Sequence, residues 1–381
     1  MAGMKKILSI VGVLLALVST TPVLAQEVTD SYQGTFKARV LEITGEESRA
    51  VFDTTYQIQF LSAELLEGPD AGNIVSVEND FQELSIGDRF YANHHIFDGG
   101  AGTYNVINVA RQGALLVLVG IFVCVVVLFG RWQGVRSIVA LAASFAAIML
   151  ILIPGILAGW APLVASFLVA AVILFAAIFF THGFNRESLV AYSGTMMAVV
   201  LAGLFAVFSV HITKLSGFAA EEAIYLNFNT GGTLNFTALL LGAFIIGFLG
   251  VLDDIAVTQS AVVTELYGAN PDMTGREVFT RAMRVGREHV GALVNTLVLA
   301  YTGASMPLLL FFSDAQASFS STVNLEIFAT EIVRIIVGSI GLILTVPIVT
   351  FLAVKYLKGY TSNHTHHCAH GHVRHTHKEA E

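Results

Sequence analysis

The spacing of hydrophobic and polar residues changes near residue 111 of this chain. Upstream of that point, hydrophobic and polar positions alternate in short segments separated by Gly and Asp residues. The segments that alternate or fit a strand are Thr35–Leu41, Tyr56–Phe60, Asn73–Val77, Arg89–Ile96 and Thr103–Val109. A period of two is typical of half-buried β-strands. Five or six such strands in about 80 residues predict a small β-barrel of OB type.

Downstream, the alternation gives way to long apolar runs. Runs of about 20 apolar residues are long enough to cross a bilayer as helices. Seven such runs occur, at residues 112–130, 138–156, 161–181, 189–211, 235–254, 289–312 and 328–357. They predict an α-helical polytopic membrane bundle of about seven transmembrane helices. We also expect an interfacial helix in Ser216–Asn227 and a polar helix at the cytoplasmic surface in Pro271–His289.

Positive charge is distributed unevenly between these runs. If the runs are spans, eleven Lys and Arg residues lie on one side of the membrane, and beyond the first span only Lys214 lies on the other. The eleven are Arg131, Arg136, Arg186, Arg276, Arg281, Arg284, Arg287, Lys355, Lys358, Arg374 and Lys378. Because cytoplasmic loops carry the excess of positive charge, we predict a multi-pass protein of the bacterial plasma (inner) membrane. Its β domain would be extracytoplasmic and its C-terminus cytoplasmic.

The N-terminus and the net charge add to this organisation. Residues 1–25 have the features of a signal peptide, with Lys5 and Lys6 before an apolar stretch and a small-residue site at Val23–Ala25. An uncleaved anchor helix is the alternative. The predicted parts are the signal peptide (1–25), the β domain (26–111), the helices (112–357) and the tail (358–381). Residues 26–111 hold 14 acidic and 5 basic side chains, a net charge of −9, which disfavours nucleic acid as a partner.

Two adjacent carboxylates, Asp253 and Asp254, lie at the end of the fifth apolar run. An acidic side chain at the bilayer centre costs on the order of 3 kcal/mol, so such a pair must face water, a cation, a basic partner or each other through a shared proton. Helical spacing aligns five positions in one stripe: Ala243, Gly247, Gly250, Asp254 and Thr258. Small residues predict that this stripe packs against protein. The alternative is a solvated helix end.

Two other runs carry polar residues on one helix face. Glu331 and Arg334 are three residues apart and can form an intrahelical ion pair. Alternatively, Arg334 reaches a carboxylate on another helix or an anionic substrate. Asn295, Thr302 and Ser305 share a face of the sixth run. With the two aspartates and Thr258, these residues are candidates for a polar path through the bundle, although interhelical hydrogen bonding would also explain the uncharged ones.

Three of these stretches, Gly250–Gln259, Asn295–Ser305 and Glu331–Gly341, resemble signature stretches of the bacterial YibE/F membrane family. The resemblance extends over the β domain and all seven predicted helices. It implies the topology given above and makes five residues part of the family pattern: Asp253, Asp254, Asn295, Glu331 and Arg334. For function it implies transport without defining a substrate.

The C-terminal tail lies outside that resemblance and is rich in metal-binding side chains. Seven of the twelve histidines and one of the two cysteines lie within fourteen residues. They are His364, His366, His367, Cys368, His370, His372, His375 and His377. Imidazole and thiolate groups at this density predict binding of Zn²⁺, Ni²⁺, Co²⁺ or Cu ions. A disordered tail that merely chelates metal is the alternative, and no cofactor is expected elsewhere.

These features favour a permease or channel for a small solute or ion. The alternative is a membrane scaffold or receptor that does not transport and binds an envelope protein through the β domain. An enzyme is not expected, because neither a His-Glu-x-x-His motif nor a phosphate-binding Gly-x-x-x-x-Gly-Lys motif occurs. The expected partners are the lipid bilayer, the solute or ion, and either a second copy of the chain or an envelope protein.

Overall fold

The computed structural model describes residues 32–51, 54–80, 82–96, 102–314 and 318–359. The chain divides into two compact units, Met1–Phe129 and Gly130–Glu381. The predicted signal peptide at residues 1–25 and the histidine-rich segment at 361–381 lie outside the described residues.

The first unit contains five strands that close into a barrel in the order β1-β2-β3-β5-β4. The strands are β1 (Tyr32–Val51), β2 (Thr54–Leu65), β3 (Ile74–Asn79), β4 (Arg89–Ile96) and β5 (Gly102–Val109). The barrel closes because the long strand β1 pairs with both β2 and β4, and its ladder with β2 contains two register shifts that let it bend. The predicted small barrel is therefore confirmed.

The barrel interior follows directly from the period-two pattern. Successive side chains of a strand face opposite sides, so alternate apolar residues point inward. The buried cluster consists of Ala38, Val40, Leu61, Ala63, Leu65, Val77, Leu84, Phe90, Ala92, Tyr104 and Val106.

The rest of the described chain is mainly helical. The helices are α1 (Gln112–Ala147), α2 (Ile153–Leu157), α3 (Pro162–His182), α4 (Arg186–Thr213), α5 (Glu221–Asn229), α6 (Phe236–Ala269), α7 (Gly275–Ala304), α8 (Met306–Asp314), α9 (Phe319–Val323) and α10 (Glu326–Tyr356). By length and composition, five helical runs among the described residues could cross a membrane, or six if α7 and α8 form one bent span. This agrees with a multi-pass membrane protein, but the predicted seven spans are not confirmed.

The first difference concerns the loop predicted between the first and second spans, where the structure has a kink between two helices of one run, Gln112–Leu157. A π-helical turn, Ile148–Leu152, joins α1 to α2 within this run. Arg131 leaves the helical conformation, with φ 49° and ψ −132°, at the point where the sequence predicts a loop. The run therefore consists of two helices on either side of Arg131, as the two predicted spans require.

The second difference concerns the predicted sixth span and the polar segment before it. Helix α7 begins at a capping box formed by Thr274 and Glu277 and runs without interruption through the Arg-rich segment to Ala304. The predicted polar helix is therefore confirmed from Gly275 onward as the first part of α7, and its place at the cytoplasmic surface stays a prediction. After Ser305 the chain bends by 62° into α8. Pro307 accounts for the bend, because proline lacks a backbone N–H and its ring clashes with the preceding turn.

Helix α6 lies at the centre of the second unit and packs against α3, α4, α7 and α10. Its buried face carries Phe244, Phe248, Leu252 and Ile255. Glycines allow other helices to approach one another closely. A Cβ atom at Gly194 of α4 would lie 2.6 Å from the side chain of Val349 on α10.

The segment between α4 and α6 is held by Glu326, the first residue of α10. Its carboxylate accepts hydrogen bonds from the backbone N–H groups of Ser216 and Gly217, each at 2.7 Å, and from the Ser216 hydroxyl. Gly217 has φ +91°, and a Cβ atom there would lie 2.4 Å from the carbonyl oxygen of Phe236. The helix α5 follows this contact where an interfacial helix is expected, and its position at a membrane surface stays a prediction.

Candidate functional site: a carboxylate cavity beside α6

The two carboxylates lie in the second half of α6, where its apolar sequence is interrupted. Asp253 is half-buried and Asp254 is exposed. The backbone N–H of Asp254 donates to Oδ1 of Asp253 at 2.8 Å. This bond leaves Oδ2 of Asp253 and both oxygens of Asp254 available to other groups.

Both carboxylates line a cavity of about 500 Å³ between α6, α3 and the part of α1 that follows Arg131. Its polar lining consists of Ser137, Ser144, Thr181, His182, Asp253, Asp254 and Thr258. We call this space the carboxylate cavity. Among the described residues, no Lys or Arg lines it, so its fixed charge is negative when both aspartates are ionised.

Two hydroxyl groups of the carboxylate cavity are suited to accept rather than donate. Ser137 and Ser144 both donate to backbone carbonyls of their own helix, those of Gln133 at 3.1 Å and Ala140 at 2.9 Å. Their oxygen lone pairs can still accept a hydrogen bond or coordinate a cation. Carboxylate and hydroxyl oxygens are typical ligands of hard cations.

A second, much smaller cavity of about 20 Å³ adjoins the first, because His182 and Val257 line both. Asn185, Glu187 and Ser188 complete its polar lining. The Ser188 hydroxyl oxygen is buried and has no hydrogen-bond partner within the described chain. The volume suits one water molecule, so polar groups continue from the carboxylate cavity to the first turn of α4.

Three of the predicted polar residues of α7 and α10 line a different cavity, of about 510 Å³. Thr302, Ser305 and Glu331 line it together with Tyr301 and several phenylalanines. We call it the aromatic cavity. Arg334 donates to Oε1 of Glu331 at 2.7 Å, which confirms the predicted intrahelical ion pair.

Arg334 also joins three helices. Its guanidinium carbon lies 5.5 Å from the ring centroid of Phe244 on α6 and 5.9 Å from that of Tyr301 on α7. A cation over an aromatic face within about 6 Å is attracted to the ring. The positive charge is therefore balanced by Glu331 and held between α6, α7 and α10.

Comparison with known proteins identifies the helical part of the chain. The model of the YibE/F-like protein family matches residues 118–359, which is more than half of the 381 residues. The chain belongs to the YibE/F-like family. No curated protein matches it. No solved structure matches it either.

The extent of the family match corrects the sequence interpretation. The matched region of this YibE/F-like protein begins inside α1. The barrel at residues 32–109 lies outside it, although the resemblance was expected to include the β domain. The family assignment therefore supports the helical fold and says nothing about the barrel.

The structure places the eight predicted path residues of this YibE/F-like protein in two groups. Asp253, Asp254 and Thr258 line the carboxylate cavity. Thr302, Ser305 and Glu331 line the aromatic cavity, with Arg334 bound to Glu331. Asn295 is exposed on α7 and lines neither cavity. The structure therefore distributes these residues between two cavities and does not bring them into the single polar path expected from three helices.

The predicted small-residue stripe of α6 also differs from expectation. Ala243, Gly247, Gly250 and Asp254 are exposed within the described chain, and a Cβ atom at Gly250 would meet no atom within 4 Å. The face that packs is instead the one with large apolar residues. Glycine on this side leaves room beside the carboxylates and does not serve close helix packing.

Sequence analysis missed several polar residues that the structure brings to these helices. Ser137 and Ser144 are seven residues apart in an otherwise apolar stretch and therefore share one helix face, a spacing that could have revealed them. Gln259 is the last residue of Gly250–Gln259, one of the stretches that resemble the family. Its buried amide donates to the carbonyl of Ala282 on α7 at 2.9 Å and to the Thr350 hydroxyl on α10 at 2.7 Å.

Metal binding by the C-terminal histidines and Cys368 stays a prediction, because that segment lies outside the described residues. Within the described part of the chain, the structure forms no group of three or more His, Cys, Asp and Glu side chains suited to a metal ion.

Proposed function

We propose that this protein is an integral membrane permease or channel for a small cation. The observation that carries the proposal is the carboxylate cavity, which places two aspartates, four hydroxyl groups and one imidazole beside otherwise apolar helices. Burying carboxylates at membrane depth is costly unless water or a cation reaches them. A cavity of about 500 Å³ gives them that access.

The charge of the lining favours a cation over an anion. Ionised Asp253 and Asp254 attract cations, and the basic side chain Arg334 belongs to the other cavity, where Glu331 balances it. Hydroxyl oxygens from α1, α3 and α6 can replace part of the water shell of an ion. The imidazole of His182 continues the polar lining toward the small cavity at α4.

The rival function, a scaffold or receptor that does not transport, predicts a sealed bundle with no polar cavity at the aspartates. The carboxylate cavity therefore supports transport over this alternative. Reconstitution of the purified protein into liposomes tests the proposal. Cation flux above that of protein-free liposomes would support it, and a protein that transports no ion of a broad panel would favour the scaffold.

We further propose that the protein lies in the bacterial inner membrane with the barrel outside and the C-terminus in the cytoplasm. The support is the excess of Lys and Arg in one set of loops. With the native cysteines replaced, an impermeant thiol reagent should label Ser76→Cys in spheroplasts and should leave Ser362→Cys unlabelled until the membrane is opened. The opposite pattern would overturn this orientation.

A further inference from the structure

A groove of about 540 Å³ runs along the contact between α4 and α10 and shares no lining residue with the three cavities described above. It is lined by Arg186, Leu189, Val190, Ser193, Met197, Leu352 and Tyr356. We call it the α4–α10 groove. Its lining is largely apolar, with Arg186 and Tyr356 as polar residues at one end and Ser193 between them and Met197.

The antiparallel packing of α4 and α10 places Arg186 and Tyr356 at the same end of the groove. Val190, near the start of α4, shares a buried cluster with Ala353, near the end of α10. Further along, a Cβ atom at Gly194 would lie 2.6 Å from the Val349 side chain, and one at Gly341 would lie 3.0 Å from the Ala202 side chain. Arg186 is the first residue of α4 and Tyr356 is the last residue of α10. The groove thus has a polar end and an apolar length.

The polar end of the groove carries the positive charge of Arg186. Within the described chain, Arg186 has no carboxylate within ion-pair distance. Lys355 adds a second cation, with its ammonium 5.3 Å from the ring centroid of Tyr356. The first turn of a helix disfavours a cation and favours an anion. A phosphate here would therefore compensate the charge of Arg186, which the start of α4 does not.

The rest of the groove exposes large apolar side chains. Leu189 is 57% exposed and Met197 is 49% exposed. Ser193, between them, donates its hydroxyl to the backbone carbonyl of Leu189 at 2.8 Å, so it presents little polarity to the groove. A water-soluble anion would leave this apolar surface uncovered, whereas a lipid with a fatty acyl chain would cover it.

We propose that the α4–α10 groove binds an anionic phospholipid. The phosphate would contact Arg186 and the Tyr356 hydroxyl, and one acyl chain would lie against Leu189, Met197 and Leu352. Basic pockets between membrane helices bind acidic lipid headgroups by this combination of charge and apolar surface. The inference rests on the proposed location in a membrane but not on transport, so it can fail or succeed independently of ion flux.

The test measures lipid binding to the purified full-length protein in detergent, with native mass spectrometry as the readout. The probes are dioleoyl phosphatidylglycerol and dioleoyl phosphatidylcholine, which have the same chains and differ in net charge. We expect the anionic lipid to bind more tightly. A cation near a lipid headgroup contributes about 1 kcal/mol, so Arg186→Gln should weaken phosphatidylglycerol binding about fivefold and Arg186→Lys should largely restore it.

Two further variants keep the test decisive. Ser193→Trp fills the groove and leaves Arg186 in place, so it should lower phosphatidylglycerol binding if the acyl chain lies there. Arg284→Gln removes an exposed cation from α7, outside the groove, and should change nothing. Equal binding of both lipids to the wild type, equal losses in Arg186→Gln and Arg284→Gln, or unchanged binding in Ser193→Trp would each overturn the proposal. Glycerol 3-phosphate competing as well as the lipid would also overturn it.

Discussion

Replacement of Asp253 and Asp254 together by Asn is expected to remove most cation flux and to leave the fold intact. Two unit charges 4 Å apart interact by about 4 kcal/mol at an effective dielectric of 20. Loss of even half of that would change flux by more than about tenfold. The fold should survive because Asn retains the Oδ1 acceptor that receives the Asp254 backbone N–H, and because Asp254 is exposed.

The matched control for this variant is Glu265→Gln. Glu265 is an exposed carboxylate on the same helix that does not line the carboxylate cavity, so neutralising it should leave flux unchanged. Flux would be measured in liposomes at equal protein content, with thermal stability recorded for each variant. Unchanged flux in the double Asn variant would mean that the aspartates are only the polar end of a helix.

Arg334→Leu is expected to cause the largest loss of stability among single substitutions in this bundle. Arg334 and Glu331 are 29% and 24% exposed, so both charges are mostly withdrawn from solvent. Removing one partner of such a pair leaves the other uncompensated, at a cost of about 3 kcal/mol for pairs of limited exposure. The measurement is the midpoint of thermal unfolding in detergent.

A double variant distinguishes the contribution of the Glu331–Arg334 ion pair to stability from that of the contacts between Arg334 and the aromatic rings. Glu331→Leu combined with Arg334→Leu removes both charges, so it should recover much of the lost stability. Arg284→Leu, at an exposed position on α7, serves as the control and should have little effect. A double variant as unstable as Arg334→Leu would show that the contacts of Arg334 with Phe244 and Tyr301 matter more than its pairing with Glu331.

The barrel could be predicted because its evidence is local. Alternation at Ala38 and Val40, or at Phe90 and Ala92, fixes which side chains point inward without knowledge of distant residues. The ends of the helices were less predictable. Composition marks an apolar run, but the kink at Arg131 and the bend before Pro307 depend on a few backbone conformations.

The candidate site could be predicted only in part, for a related reason. A charge inside an apolar run is visible in the sequence, which is why Asp253, Asp254, Glu331 and Arg334 were found. Which helices surround each charge is decided by packing between segments far apart in the chain. Periodicity could not reveal that Ser144 joins Asp253 at one cavity and that Thr302 joins Glu331 at another.

The central claim, that the carboxylate cavity conducts cations, is tested most directly by the ion selectivity of the reconstituted wild-type protein. Liposomes would be loaded in turn with indicators for Na⁺, K⁺, Mg²⁺, Mn²⁺ and Cl⁻, under an imposed gradient of each ion. The account predicts that at least one cation crosses faster than Cl⁻ and faster than in protein-free liposomes. Flux of Cl⁻ alone, or no flux of any of these ions, would contradict it.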